Sequence, residues 1–143
     1  MRGYFGIGVE NLKTGVNLGT LWRSAQCLGA DFIFVIGKRF KRQCSDTLKT
    51  YRHIPLYEYE TKDHFLKSRP YNCKLVGVEI KEGAKNIHAY NHPQRAIYVL
   101  GAEDSSLTFL DKCHDIIQIP SNYCFNVAVA GSIVMYDRKL KEK

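Results

Sequence analysis

The chain has 143 residues, of which 24% are charged and 45% hydrophobic. That composition excludes disorder and suits a single domain, residues 1–143, with a buried core. The 21 Lys and Arg against 14 Asp and Glu leave a formal charge of +7, a balance that attracts polyanions, nucleic acid first.

Residues 4–10 read as a first strand, followed by a polar loop from Asn11 to Val16. Leu18, Leu21, Trp22, Ala25 and Leu28 fall on one face of a helix, with Asn17 at its N-cap and Gly29 just past its end. Residues 31–36 are a buried-type strand, succeeded by the basic loop Lys38-Arg39-Phe40-Lys41-Arg42 and a short helical stretch over 46–51. Between Pro55 and Pro70 a short strand and a helix over 62–68 are expected. Residues 74–80 and 95–100 are two further apolar strands. Residues 105–113 read as a helix, 116–119 as a last short strand, and 126–141 as a helix that is apolar first and basic at its end.

Strands alternate with helices, and the strands are continuous apolar runs. Such runs imply burial on both faces, hence an α/β fold with a mostly parallel sheet and helices on both faces. Ligands bind such sheets at the carboxyl ends of the strands. The candidate site segments are therefore 10–17, 37–46, 79–86, 101–105 and 120–126. No apolar run approaches the roughly 18 residues of a membrane span. The start, Met1-Arg2-Gly3-Tyr4, carries no signal-peptide cleavage pattern, so a cytoplasmic location is expected. Cys27, Cys44, Cys73, Cys113 and Cys124 are odd in number and scattered, which suggests neither a disulfide framework nor a zinc site.

Several chemistries fail on inspection. Gly6 and Gly8 lack the third glycine of a dinucleotide fingerprint and read as small residues in a crowded central strand. There is no P-loop and no nucleophile elbow. His88 and His92 have no neighbouring carboxylate or cysteine to complete a metal set, so no metal is expected. Cys124 reads as a buried, inert thiol rather than a nucleophile.

Three segments remain. The first is Asn17-Leu-Gly-Thr-Leu-Trp-Arg23-Ser-Ala25, in which Arg23 lies off the apolar stripe. The second is Tyr98-Val-Leu-Gly101-Ala-Glu103-Asp, a strand ending with a carboxylate just beyond it. The third runs from Ile119-Pro120 through Cys124-Phe125 to Asn126-Val-Ala-Val-Ala130, where a polar Asn126 opens an apolar helix and needs a partner. Together they resemble the SpoU/TrmH family of RNA methyltransferases, in the SPOUT class. The first family motif, N-x-G-x-x-x-R-x-A, is matched at Asn17, Gly19, Arg23 and Ala25. The second, L-G-x-E, is matched at Leu100, Gly101 and Glu103. The third is matched at Ile119, Pro120, Asn126, Val127, Val129 and Ala130. Departures are Ala102 for the family's Asn, Ser106 for its Gly, Cys124-Phe125 for Ser-Leu, Ala128 for a second Ser, and a short loop before the third motif.

The resemblance implies a parallel sheet whose C-terminal segment threads a trefoil knot. The helices over 18–28 and 126–141 carry more apolar surface than one small domain readily covers, notably Trp22, Ile133, Val134 and Tyr136, and a two-fold homodimer packed through them, as the resemblance also implies, is expected. The resemblance further implies methyl transfer from S-adenosylmethionine to a ribose 2′-hydroxyl of RNA, tRNA favoured over rRNA. On this basis Val78, Glu79, Leu100, Gly101, Glu103, Ile119, Pro120, Cys124 and Phe125 are the cofactor-binding candidates. Arg23, Asn17, Glu103 and Asn126 are the catalytic candidates. In the family Arg23 activates the hydroxyl. A guanidinium holds its proton, so gripping a phosphate or stabilising alkoxide charge are equal alternatives. Lys38, Arg39, Lys41 and Arg42 would grip RNA phosphates. The departures keep a non-catalytic RNA-binding relative open as an alternative, and a base methyltransferase of the same class is another.

Overall fold

The computed structural model describes residues 3–37, 53–102 and 105–142. Its strands are β1 (Tyr4–Glu10), β2 (Phe32–Ile36), β3 (Leu56–Tyr59), β4 (Lys74–Val78), β5 (Lys85–Asn86), β6 (Arg95–Gly101) and β7 (Asp115–Gln118). Its helices are α1 (Gly15–Leu28), α2 (Lys62–Ser68) and α3 (Val127–Lys141). Among the described residues the strands form one sheet in the order β3-β2-β1-β6-β4-β7-β5. Every neighbouring pair is parallel.

Side chains of a strand alternate between the two faces, and both faces here are covered. Phe5, Ile7 and Val9 of β1 face a core shared with Leu18, Leu21 and Trp22 of α1 and Val127, Val134 and Met135 of α3. Phe32 and Phe34 of β2, with Leu75, Ile97 and Val99, face the other core, closed by Phe65 of α2 and by Phe109. The Phe34 and Phe65 rings stack with centroids 4.8 Å apart. Gly6 and Gly8 lie under the Phe32 and Phe34 rings, where a Cβ would overlap them. The two glycines are packing residues of the central strand, as their context implied.

The structure corrects the expected elements in several places. Helix α1 begins two residues before Asn17, and its cap is Thr14, whose Oγ1 accepts the Asn17 amide at 3.3 Å. Gly29 does close α1, in the left-handed conformation at φ 84°. Residues 105–113 form no α-helix, and only a 3₁₀ turn at Leu110–Lys112 is present. Two carboxylates at strand ends bind the backbone there. Leu107 N–H donates to Glu79 Oε1 at 3.1 Å, and Thr108 N–H to Glu10 Oε1 at 2.9 Å. The two-residue β5 and the 3₁₀ turn Ile87–Ala89 were too short to announce themselves by periodicity. The helical stretch expected over 46–51 lies outside the described residues.

The far end of α3 is locked against the segment before β6. Arg138, only 4% exposed, donates to Pro93 O at 2.7 Å, Gln94 O at 2.8 Å and the Tyr98 hydroxyl at 3.0 Å. His92 Nδ1 lies 2.7 Å from the Tyr98 hydroxyl and its Nε2 lies 2.7 Å from Asp137 Oδ2. One consistent chain of donors runs from Arg138 to Tyr98 to His92 to Asp137, and it requires a neutral imidazole. Burial holds the His92 pKa below its ordinary value, with positive Lys141 and Arg138 adding to the effect against the pull of Asp137. Its side chain is 5% exposed. Below the ordinary pKa of 6.5 the unfolded chain takes up a proton that the native imidazole refuses. Stability should therefore be flat above about pH 7 and fall as the pH drops through 6.5 toward the lowered native value. Denaturant midpoints followed from about pH 7.5 to about pH 5.5 test this, and His92→Gln should flatten the descent.

Candidate active site

Strands β1, β6 and β4 end side by side, with Glu10 opposite Gly101 and Leu100 opposite Val78. Beyond β6 the chain doubles back over this edge. A Cβ at Gly101 would lie 2.6 Å from Ser105 O and 3.1 Å from Leu107 N, so only glycine lets the backbone return so closely. Glu10 and Glu79 then hold the returning segment through the Thr108 and Leu107 amides. From Ile119 a loop crosses from β7 to α3 and forms the opposite wall.

Between these walls lies a cavity of about 430 Å³. Val78, Glu79, Leu100, Gly101, Ile119, Cys124 and Phe125, all named from the sequence, line it together. Ile80, Ala102 and Ser105, which fall in the candidate segments 79–86 and 101–105, also line it, as do Ser106, Val127 and Ala130, which were not named as ligand residues. Val127 and Ala130 stood in the third motif but read as core helix. Ser106 was hidden by the helix expected there. Cys124, read as buried, is exposed on the crossing loop. Pro120 opens the crossing loop without lining the cavity. Glu103 lies outside the described residues, as do Lys38, Arg39, Lys41 and Arg42.

The first and third segments meet through side chains. Asn126 caps α3, its Oδ1 accepting from the Ala128 and Val129 amides at 2.9 and 3.2 Å. Its Nδ2 donates to Asn17 Oδ1 at 3.0 Å, across 109 residues of sequence. Asn17 is thus a cross-link to α3 rather than a cap of its own helix. Further along the same helix pair, Ser132 Oγ lies 2.8 Å from Ser24 Oγ. Arg23 is exposed on α1 and does not line the cavity. Among the described residues no group of three or more His, Cys, Asp or Glu is placed to hold a metal ion. No described helix is long and apolar enough to cross a membrane.

The fold and the cavity define an α/β protein with a crevice beyond the carboxyl ends of its parallel strands, where open sheets of this kind bind their ligands. The model of the SpoU rRNA methylase family matches residues 5–136, and the chain belongs to that family. Solved structures agree on the fold. An rRNA methyltransferase from Sinorhizobium meliloti superposes with a TM-score of 0.85 at 19% identity, over 97% of this chain and 56% of that one. The SpoU methyltransferase AviRb from Streptomyces viridochromogenes, in complex with its cofactor AdoMet, gives 0.85 at 18% identity, over 99% of this chain and 61% of that one. A protein solved for insight into the 2-OH methylation of C/U34 on tRNA gives 0.81 at 18% identity, over 95% of this chain and 94% of that one. The chain spans less than two thirds of the first two. No curated protein matches the sequence significantly.

The double use of Asn126 can be separated by substitution. Asn126→Ala loses both cap and cross-link and should cost about 1–2 kcal/mol. Asn126→Asp keeps the cap acceptor but loses the donor toward Asn17, and should retain most of that stability. Chemical denaturation of the two variants checks the division.

Proposed function

We propose that the chain is an S-adenosylmethionine-dependent RNA methyltransferase acting on a ribose 2′-hydroxyl of tRNA. The observation that carries this reading is that one cavity is lined by seven of the residues picked out from the sequence. SpoU methylases use S-adenosylmethionine, and two structural neighbours hold AdoMet. The cavity fits it: its volume falls within the roughly 300–1,000 Å³ of small-molecule sites, and its lining is mostly apolar with a few polar groups. Val78, Leu100, Ile119 and Phe125 offer apolar faces to an adenine. Glu79, Gly101 and Cys124 border them, and Pro120 and Glu103 belong to the same set by motif. When bound, S-adenosylmethionine supplies an electrophilic methyl on a sulfonium centre.

The chain's own residues position the RNA. Asn17 and Asn126, tied to each other, orient the ribose at the rim. Arg23 offers fixed N–H donors to the adjacent phosphate or to the developing alkoxide. Lys38, Arg39, Lys41 and Arg42 grip further phosphates, in keeping with the net charge of +7. The neighbour tied to 2-OH methylation of tRNA supports the tRNA choice, because it matches this chain along nearly its whole length. The same reading carries the trefoil thread near the C-terminus and a cytoplasmic workplace.

It also carries a homodimer. Trp22 and Val134, which the sequence offered as surface for a partner, are instead 2% and 0% exposed inside the chain's own core. The uncovered apolar stripe on α3 is Val129, Tyr136 and Leu140, at 45%, 57% and 68% exposure, with half-buried Ile133 between. On α1, Val16, Thr20, Arg23 and Cys27 share the exposed stripe at helical spacing. A second copy seated on these helices places Arg23 at the seam between copies. Sedimentation should give about twice 16.4 kDa at micromolar concentration, and Tyr136→Glu should give the monomer.

The decisive experiment incubates the protein with labelled S-adenosylmethionine and bulk tRNA and identifies the product nucleosides by mass spectrometry. A 2′-O-methyl nucleoside is expected. A methylated base overturns the ribose assignment, and cofactor binding without transfer favours a non-catalytic RNA-binding relative. Arg23→Ala should lower transfer by about 100-fold or more, the effect of losing one oxyanion-type donor, with the thermal midpoint and cofactor affinity unchanged.

A further inference from the structure

Glu79 is the one charged side chain among the described residues lining the cavity. Its main chain is pinned by a hydrogen bond from its own N–H to Ile117 O at 3.0 Å. Its Oε1 accepts the Leu107 amide at 3.1 Å, and no hydrogen bond reaches Oε2 among the described residues. An amide N–H needs only a neutral acceptor, so its partner does not account for a full charge. A carboxylate walled by Val78, Leu100, Ile119 and Phe125 loses its water when a ligand fills the space. That loss is unfavourable unless the ligand returns hydrogen-bond donors. An ionised carboxylate is an acceptor only, which restricts the ligand chemistry that can face it.

We propose that Glu79 accepts hydrogen bonds from the ribose hydroxyls of the nucleoside half of the methyl donor. This rests on the functional reading above and assigns one of its contacts. Glu79 directly follows Val78, whose side chain shares the apolar wall with Leu100, its register partner on β6. A base lying on that wall has its sugar one residue's reach from the carboxylate. Two vicinal hydroxyls are donors of matching number and spacing for a fixed carboxylate. Carboxylates at the ends of parallel strands hold ribose hydroxyls in other open sheets.

Titration calorimetry on the full chain tests the assignment. The ligands are S-adenosylmethionine, S-adenosylhomocysteine and 5′-methylthioadenosine, with the 2′-deoxy and 3′-deoxy forms of the last. Glu79→Gln keeps an acceptor for the Leu107 amide, so its thermal midpoint should stay at the wild-type value. It should weaken all three parent ligands by about 10- to 100-fold, the range for a hydrogen bond to a charged group. The deoxy ligands should bind the wild type weakly and the variant no worse. Equal affinity of wild type and Glu79→Gln for the parent ligands overturns the assignment. A loss confined to S-adenosylmethionine, with uncharged 5′-methylthioadenosine unaffected, gives Glu79 to the cationic half and also overturns it. Failure of the wild type to bind any of these nucleosides overturns the functional reading and the assignment with it.

Discussion

Burying Arg138 against β6 decides where α3 begins. The guanidinium has three oxygen partners on the segment 93–98, which fix its place along the helix. Twelve residues separate Arg138 from Asn126, about 18 Å of helix at 1.5 Å per residue. Locking the far end therefore places the near end at the carboxyl edge of the sheet, where Asn126 finds Asn17. The loop from Ile119 to Asn126 must then span from β7 to that fixed point, and in doing so it walls the cavity. Lys141, bonded to Ile87 O at 2.7 Å and Tyr90 O at 2.9 Å, reinforces the same lock one turn further on.

The opposite wall depends on a different device. Two carboxylates at the ends of β1 and β4 draw the amides of 107 and 108 across the end of β6, which lies between them. Gly101 permits the approach and the carboxylates secure it. The crevice is therefore framed by hydrogen bonds between segments far apart in sequence, while its floor is the apolar ends of the strands themselves. A rigid floor with polar clamps at the rim suits a site that must hold a ligand in one orientation.

The α-helical face opposite the core is unevenly finished. Its inward side is spent on the chain's own core, down to Trp22, whose Nε1 donates to Ile54 O at 2.9 Å. Its outward side keeps an apolar stripe on α3 and a mixed stripe on α1 that includes Arg23. The proposed dimer accounts together for the position of Arg23 away from the cavity lining and for the exposed apolar stripe on α3.

Much of this molecule was legible in the sequence. Continuous apolar runs announced β1, β2, β4 and β6, because a strand buried on both faces needs apolar side chains at every position. Periodicity announced α1 and α3, and the left-handed Gly29 announced the end of α1. The motif residues Leu100, Gly101 and Ile119 line the cavity, because they stand at the strand ends and on the crossing loop. Local signals failed where a distant group outbid them. Asn17 had the look of a cap, but its side chain is taken by Asn126, 109 residues away. Residues 105–113 read as a helix, but Glu79 and Glu10 tie the Leu107 and Thr108 amides to the ends of β4 and β1, and Glu10 lies 98 residues before Thr108. Trp22 and Val134 were read as surface, because one-dimensional periodicity shows which side of a helix is apolar but not what that side meets. The sequence by itself determined the elements, the apolar faces and the motif residues. Only the tertiary structure decided which polar groups pair, because backbone and side-chain donors go to whichever acceptors folding brings within hydrogen-bonding distance.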